Sequence, residues 1–172
     1  MRPSLLWLGL GCAVVACRPN TTRPPITPLP EAAGTEVRLP VRQATQRLAE
    51  MLRADSIPLR RVSILDGYME SGWFDAGTRR PAGNRRAIGP GFVRIRAWAD
   101  PGRPGSSLLT VETLYRPLVD PSLPERELER EVARNHPIAV TVEAALRQMV
   151  TRYGGAPAAE AEGAGEPEAE PQ

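Results

Sequence analysis

The chain has no lysine at all: its 22 basic residues are all arginine. That absence excludes Schiff-base chemistry and any lysine-centred phosphate site. Cysteine is nearly as scarce, with Cys12 and Cys17 near the front and none afterwards. Histidine occurs once, as His136, so no His/Cys cluster has the spacing of a metal site. His136 stands directly before Pro137, where a helix cap is the economical reading and a catalytic base the rival one. Ser63, Ser71, Ser106 and Ser107 lack the G-x-S-x-G context of a nucleophile elbow. No apolar run reaches the roughly 20 residues that a membrane-spanning helix needs. These absences lead us to expect a protein that is not an enzyme and holds no cofactor or metal.

What is present begins at the N-terminus. Met1 and Arg2 supply positive charge, Leu5 to Val15 ("LLWLGLGCAVV") has the length of a signal h-region, and Ala16 is the small residue that precedes cleavage. Val14-Val15-Ala16-Cys17 resembles the bacterial lipobox, in which the cysteine is acylated and becomes the first residue of the mature chain. Gly9-Leu10-Gly11-Cys12 is a poorer match, with glycine where a bulky aliphatic residue is wanted. The resemblance implies lipidation at Cys17 and a location in the cell envelope, lipid-anchored, at the outer membrane facing the periplasm. The alternative is a free thiol after ordinary secretory cleavage. With Cys12 removed and Cys17 acylated, no disulfide can form even in an oxidising compartment.

Composition divides the remainder. Residues 1–16 are the expected signal. Residues 17–34 are proline-rich and read as an extended tether, able to reach on the order of 50 Å in polyproline II geometry. Residues 35–153 form one domain of ordinary size, with arginine in excess over acids. Residues 154–172, "GGAPAAEAEGAGEPEAEPQ", offer nothing to bury and read as a disordered acidic tail.

Within the domain, Val41, Ala44, Leu48, Met51 and Leu52 recur at helical spacing after Pro40. Asp66-Gly67 separates two apolar-rich runs, 59–65 and 68–75, and signals a hairpin with a type I′ turn. "FVRIRAWAD" alternates Val93, Ile95, Ala97 and Ala99 against Arg94, Arg96 and Trp98. In the next run Leu109, Val111, Thr113 and Tyr115 share a face, and the strand carboxylates Glu70 and Glu112 are expected to face solvent. Residues 124–135 mix charges at helical spacing and suit a short solvated helix. Ile138, Val142, Ala145, Leu146, Met149 and Tyr153 stripe a last helix that starts at Pro137 and stops at Gly154. The expected class is α+β: a single domain with an antiparallel sheet of about four strands and two long helices on one face, in the order α-β-β-β-β-α.

That order resembles the helix-grip domains of BamC-type outer-membrane assembly lipoproteins. The strand running through Asp66-Gly67 into a strand ending at Trp73, the cysteine anchor and the proline-rich lead-in all share the pattern, though the chain carries one such domain where those proteins usually carry two. Small lipoproteins of the lipopolysaccharide-export type share a similar arrangement. The resemblance implies a membrane-anchored, non-catalytic scaffold or accessory in envelope assembly, whose partners are the membrane itself, an envelope protein complex or an anionic lipid, and not nucleic acid. The rival reading is a small-ligand or lipid-binding module with a pocket between helices and sheet. Arg79, Arg80, Arg85 and Arg86, in the Gly- and Arg-rich loop 77–91, are the candidate anionic-ligand residues; a solvated hairpin loop is the alternative. Trp73 and Trp98 mark either an interface or the core.

Overall fold

In the computed structural model residues 23–83 and 88–157 are described. The lipidation candidate Cys17, the arginines Arg85 and Arg86, and most of the acidic tail fall outside them.

The amphipathic pattern forms helix α1 (Val41–Ala54), which buries Ala44, Thr45, Leu48, Ala49 and Leu52. The second stripe forms α3 (Pro137–Tyr153), capped by His136, whose imidazole accepts the Ile138 N–H at 3.2 Å. Gly154 ends it at φ 73°. Both helices lie on one face of an antiparallel sheet and meet there Val37, Phe74, Val93, Ile95, Ala97, Leu109 and Val111, all fully buried. Burying each large aliphatic side chain contributes about 1.5–3 kcal/mol, so this interface dominates the stability.

The sheet is larger than the four strands expected. Strands β2 (Leu59–Ser63), β3 (Tyr68–Ser71), β5 (Phe92–Pro101) and β6 (Ser107–Tyr115) are its body. Four short strands extend it: β1 (Ala33–Val37), β4 (Phe74–Asp75), β7 (Arg130–Glu131) and β8 (Gly155–Pro157). The order is β2-β3-β5-β6-β1-β8, with β4 on β5 and β7 on β6. The expected helix–four strands–helix order is thus embedded in a longer one. β1 and β8 draw residues 33, 34 and 155–157 out of the expected tether and tail, because pairing with β6 and β1 satisfies backbone groups whose side chains carry no pattern of their own.

The turn between β2 and β3 also differs. Ser63 pairs with Tyr68 across a four-residue turn, Ile64 to Gly67, and only Gly67, at φ 61°, is left-handed there. Asp66 instead accepts the Ser63 hydroxyl at 2.7 Å. The reason for glycine is a close approach. A Cβ on Gly67 would stand 2.2 Å from the Ala99 carbonyl oxygen, and the Gly67 carbonyl accepts the Ala99 N–H at 2.7 Å.

The second face of the sheet is covered as well. A short third helix, α2 (Glu125–Leu128), lies across it and leads into strand β7 on the edge of β6. The lead-in joins them: Arg23 pairs with Asp100 at 2.5 Å, the Leu29 N–H donates to Glu112 at 2.6 Å, and Arg126 donates to the Thr27 carbonyl at 2.7 Å. Residues 23–32 are therefore part of the domain rather than of a free tether. Trp98 and Leu114 are buried beneath this cover, so both tryptophans of the domain end inside it.

The strands define two poles. At one, the lead-in pole, lie Arg23 on Asp100, the Ile64–Gly67 turn against Ala99, and the 102–106 hairpin turn. At the other, the loop pole, the start of β5 and the end of β6 meet (Val93 opposite Tyr115), beside the loops that follow Trp73 and Arg116.

Candidate functional site

The second sheet face carries an ionic layer that the sequence pattern did not single out. Alternation along β5 directs Arg94 and Arg96 to this face, and the register sets Arg96 opposite Glu112 of β6. α2 then brings Glu125, Arg126 and Glu129 over them. Arg96 makes a fork-to-fork pair with Glu129, at 2.6 and 2.8 Å. Arg126 does the same with Glu112, at 3.0 and 2.7 Å. Arg94 reaches both Glu129 at 3.2 Å and Glu125 at 3.4 Å. Glu112, expected to face solvent, is fully buried. Its burial is tolerable because Arg126 and the Leu29 N–H saturate its oxygens.

Trp73 sits at the loop-pole end of this layer. The guanidinium of Arg94 lies 4.9 Å from its ring centre and that of Arg116 lies 5.0 Å away, so the indole is flanked by two cations. Its N–H donates to Glu125 at 2.6 Å. Burial alone would raise the pKa of Glu125, but the Trp73 hydrogen bond and the charges of Arg94 and Arg116 outweigh it and hold the carboxyl below its ordinary value. Arg116 is itself buried, and its Nε has no hydrogen-bond partner among the described residues.

Arg116 and Glu125 are the two stems of one loop, "RPLVDPSLPE". Both stems are fastened to Trp73, three prolines stiffen the stretch between, and Asp120 accepts the Ser122 N–H at 2.9 Å and its hydroxyl at 2.6 Å. The loop nevertheless holds Leu118, Val119 and Leu123 at 55%, 56% and 45% exposure. A loop this well fixed that still shows three aliphatic side chains to solvent is preorganised for contact.

Arg79 and Arg80 lie at the same pole in a tight turn built by Asp75. That carboxylate accepts the Thr78 N–H at 2.7 Å, the Thr78 hydroxyl at 2.9 Å and the Gly77 N–H at 3.1 Å, and these bonds lower its pKa. Arg79, half-buried at φ 58°, donates to Thr141 of α3 at 3.4 Å; Arg80 is exposed. The structure thus fixes residues 77–82, the first part of the loop expected over 77–91, by bonds to Asp75. Arg85 and Arg86 lie outside the described residues.

Among the described residues the centre of the helix–sheet interface is filled by Leu48, Phe74, Ile95 and Met149. Two clefts open at its edge, between β1 and α3. One, of about 450 Å³, is lined by Glu31, Thr113, Glu131, Arg134, Val142 and Glu143. The other, of about 420 Å³, runs between Ala33 and Gly34 and the α3 side chains Leu146 and Val150. In the first, Glu131 accepts the Thr113 N–H at 2.6 Å. Burial, with Glu112 and Glu31 nearby, pushes its pKa up to about 7 against the opposing charge of Arg126. Among the described residues no group of three or more His, Cys, Asp or Glu side chains could hold a metal ion, and no helix is long and apolar enough to cross a membrane.

Fold and site together define an α+β domain whose antiparallel sheet is covered on one face by two helices and on the other by an ionic layer ending in a fixed apolar loop. Comparison with protein-family models, with curated proteins and with solved structures finds no match to this chain.

Proposed function

We propose that the protein is a non-catalytic scaffold or accessory of the bacterial cell envelope, anchored by lipid on Cys17 and docking a partner protein through the loop from Pro117 to Pro124. One observation carries this reading: Leu118, Val119 and Leu123 stand exposed on a loop whose two stems are both fixed to Trp73. A surface loop with no task would gain nothing by such bracing, and rigid apolar anchors beside arginine and tryptophan are what partner-binding hot spots are made of. The partner's matching surface is apolar. The BamC-type resemblance points the same way, to an assembly role at the outer membrane. The rival reading, a small-ligand module with a helix–sheet pocket, has less support, since the centre of that interface is filled by Leu48, Phe74, Ile95 and Met149 and the clefts lie at its edge, between β1 and α3.

The test uses the intact lipoprotein in its host. Labelling with a fatty-acid analogue should mark the parent chain and not Cys17→Ser. Crosslinking in the envelope should yield one dominant complex, reduced at least roughly tenfold in the Leu118→Asp/Val119→Asp double variant, a loss of about 1.4 kcal/mol or more in affinity, and retained in Val140→Asp. A complex that survives the double variant would refute docking through this loop.

A further inference from the structure

We infer that the lead-in pole of the domain is a membrane-binding surface that rests on an anionic lipid bilayer, so that the loop from Pro117 to Pro124 points away from the anchoring membrane. The inference rests on the reading that Cys17 carries lipid.

The first support is where the chain joins the fold. The proline-rich lead-in, read from sequence as a long spacer, is held from Arg23 onward: Arg23 grips Asp100 with both guanidinium nitrogens, at 2.5 and 3.1 Å. Only five residues separate Arg23 from Cys17. Fully extended at ~3.3–3.6 Å per residue, that stretch spans about 20 Å. The lead-in pole is therefore kept beside the bilayer and lacks the reach to swing freely above it.

The second support is what that pole exposes. Leu65, at the tip of the β2–β3 turn, is 73% exposed, the most of any large apolar side chain among the described residues, and Ile64 beside it is also exposed. At the same pole Arg38, Arg42 and Arg103 are exposed, Arg103 beside Glu36 at 3.9 Å. The carboxylates of this pole are already engaged: Asp100 by Arg23, Asp66 by the Ser63 hydroxyl, and Glu36, itself buried, by the Ser106 hydroxyl and Arg103. A pole that shows an apolar tip and exposed arginines, with its carboxylates engaged, is complementary to a bilayer surface: Leu65 enters the acyl boundary and the guanidinium groups of Arg38 and Arg42 meet lipid phosphates. Arg79 and Arg80 lie at the opposite pole, away from this surface.

The experiment reconstitutes the full-length processed chain into phosphatidylcholine–phosphatidylglycerol vesicles. Leu65→Cys and Leu118→Cys are each labelled with an environment-sensitive fluorophore, with the labelled parent chain as background. The Leu65→Cys label should shift to the blue and be quenched by brominated lipid, the Leu118→Cys label should do neither, and adding Arg38→Ala and Arg42→Ala should at least halve the Leu65→Cys signal. A Leu65→Cys label that stays water-like, or a Leu118→Cys label that responds as strongly, would overturn the inference; the first of these with a protein crosslink at Leu65 would assign the pole to a partner protein. The mass of the N-terminal peptide reads acylation separately. An acylated Cys17 without the Leu65→Cys signal rejects the orientation and keeps the anchor. An unmodified Cys17 with that signal rejects the anchor and keeps the surface.

Discussion

Glu129 is the residue on which the second sheet face converges. It is buried, it takes both terminal nitrogens of Arg96, and it reaches Arg94 and Arg126. A buried charge pair can be nearly neutral to stability as a whole, yet removing one partner leaves its neighbours charged and dry. Glu129→Gln should therefore lower the unfolding free energy by about 3–5 kcal/mol, while Glu50→Gln, whose pair with Arg47 is exposed, should leave it nearly unchanged; urea denaturation of the two variants decides. Gly67 tests the other kind of single-residue constraint. With its φ of 61° and the Ala99 oxygen 2.2 Å from any Cβ, Gly67→Ala should cost at least about 1–3 kcal/mol. Gly105→Ala, left-handed at φ 81° but facing open space, should cost about 1 kcal/mol. Equal melting midpoints for Gly67→Ala and Gly105→Ala would show that the close approach to Ala99 does not exist.

At the scale of elements, helices α1 and α3 and strands β5 and β6 were legible because each carries a period that burial imposes, and β2 and β3 because Asp66-Gly67 separates two apolar-rich runs. Strands β1 and β8 were not. Ala33-Gly34-Thr35-Glu36-Val37 and Gly155-Ala156-Pro157 have no alternation, and their pairing is determined by partners far along the chain. The ionic layer was half legible: Arg94 and Arg96 were placed on one face, but nothing local said that Glu112, Glu125 and Glu129 would close over them. Charge mixed at helical spacing reads as a solvated helix, and here α2 spends its acids on a sheet instead. Gly155 shows that β8 is an integral strand, since a Cβ there would stand 1.8 Å from the Glu36 carbonyl oxygen. A chain ending at Gly154 should melt several degrees below one ending at Pro157, roughly 3–5 °C for each kcal/mol lost, and a chain ending at Pro157 should match the full-length protein. Calorimetry on the three lengths checks both statements.

For the molecule as a whole, pH is the simplest probe of the cleft beside β1. Glu131 has its pKa raised from 4.5 to about 7, so the folded state holds a proton that the unfolded chain releases. Stability should then fall as pH rises from about 4.5 to 7 and level off above that. Below that range Asp75 and Glu125, whose pKa values are lowered by folding, lose their contribution as they protonate. His136, whose pKa burial lowers, works against the decline toward neutrality, and Glu131→Gln, which mimics the neutral carboxyl, should remove the Glu131 share of it. A decline of the same slope in that variant would assign it to other groups. The placement of β1 between β6 and β8 has a consequence of another kind, for the order of events after synthesis. Strand β1 must wait some 70 residues for its inner neighbour and 120 for its outer one, as Glu36 opposite Leu108 and Ala156 shows. Contacts so distant form late and slowly, so the β2–β3 and β5–β6 hairpins can close long before the β1 edge of the sheet is complete. On the proposed reading of an exported chain, that delay would leave the sheet open during passage through a translocon, because β1 gains its outer neighbour when residues 155–157 arrive.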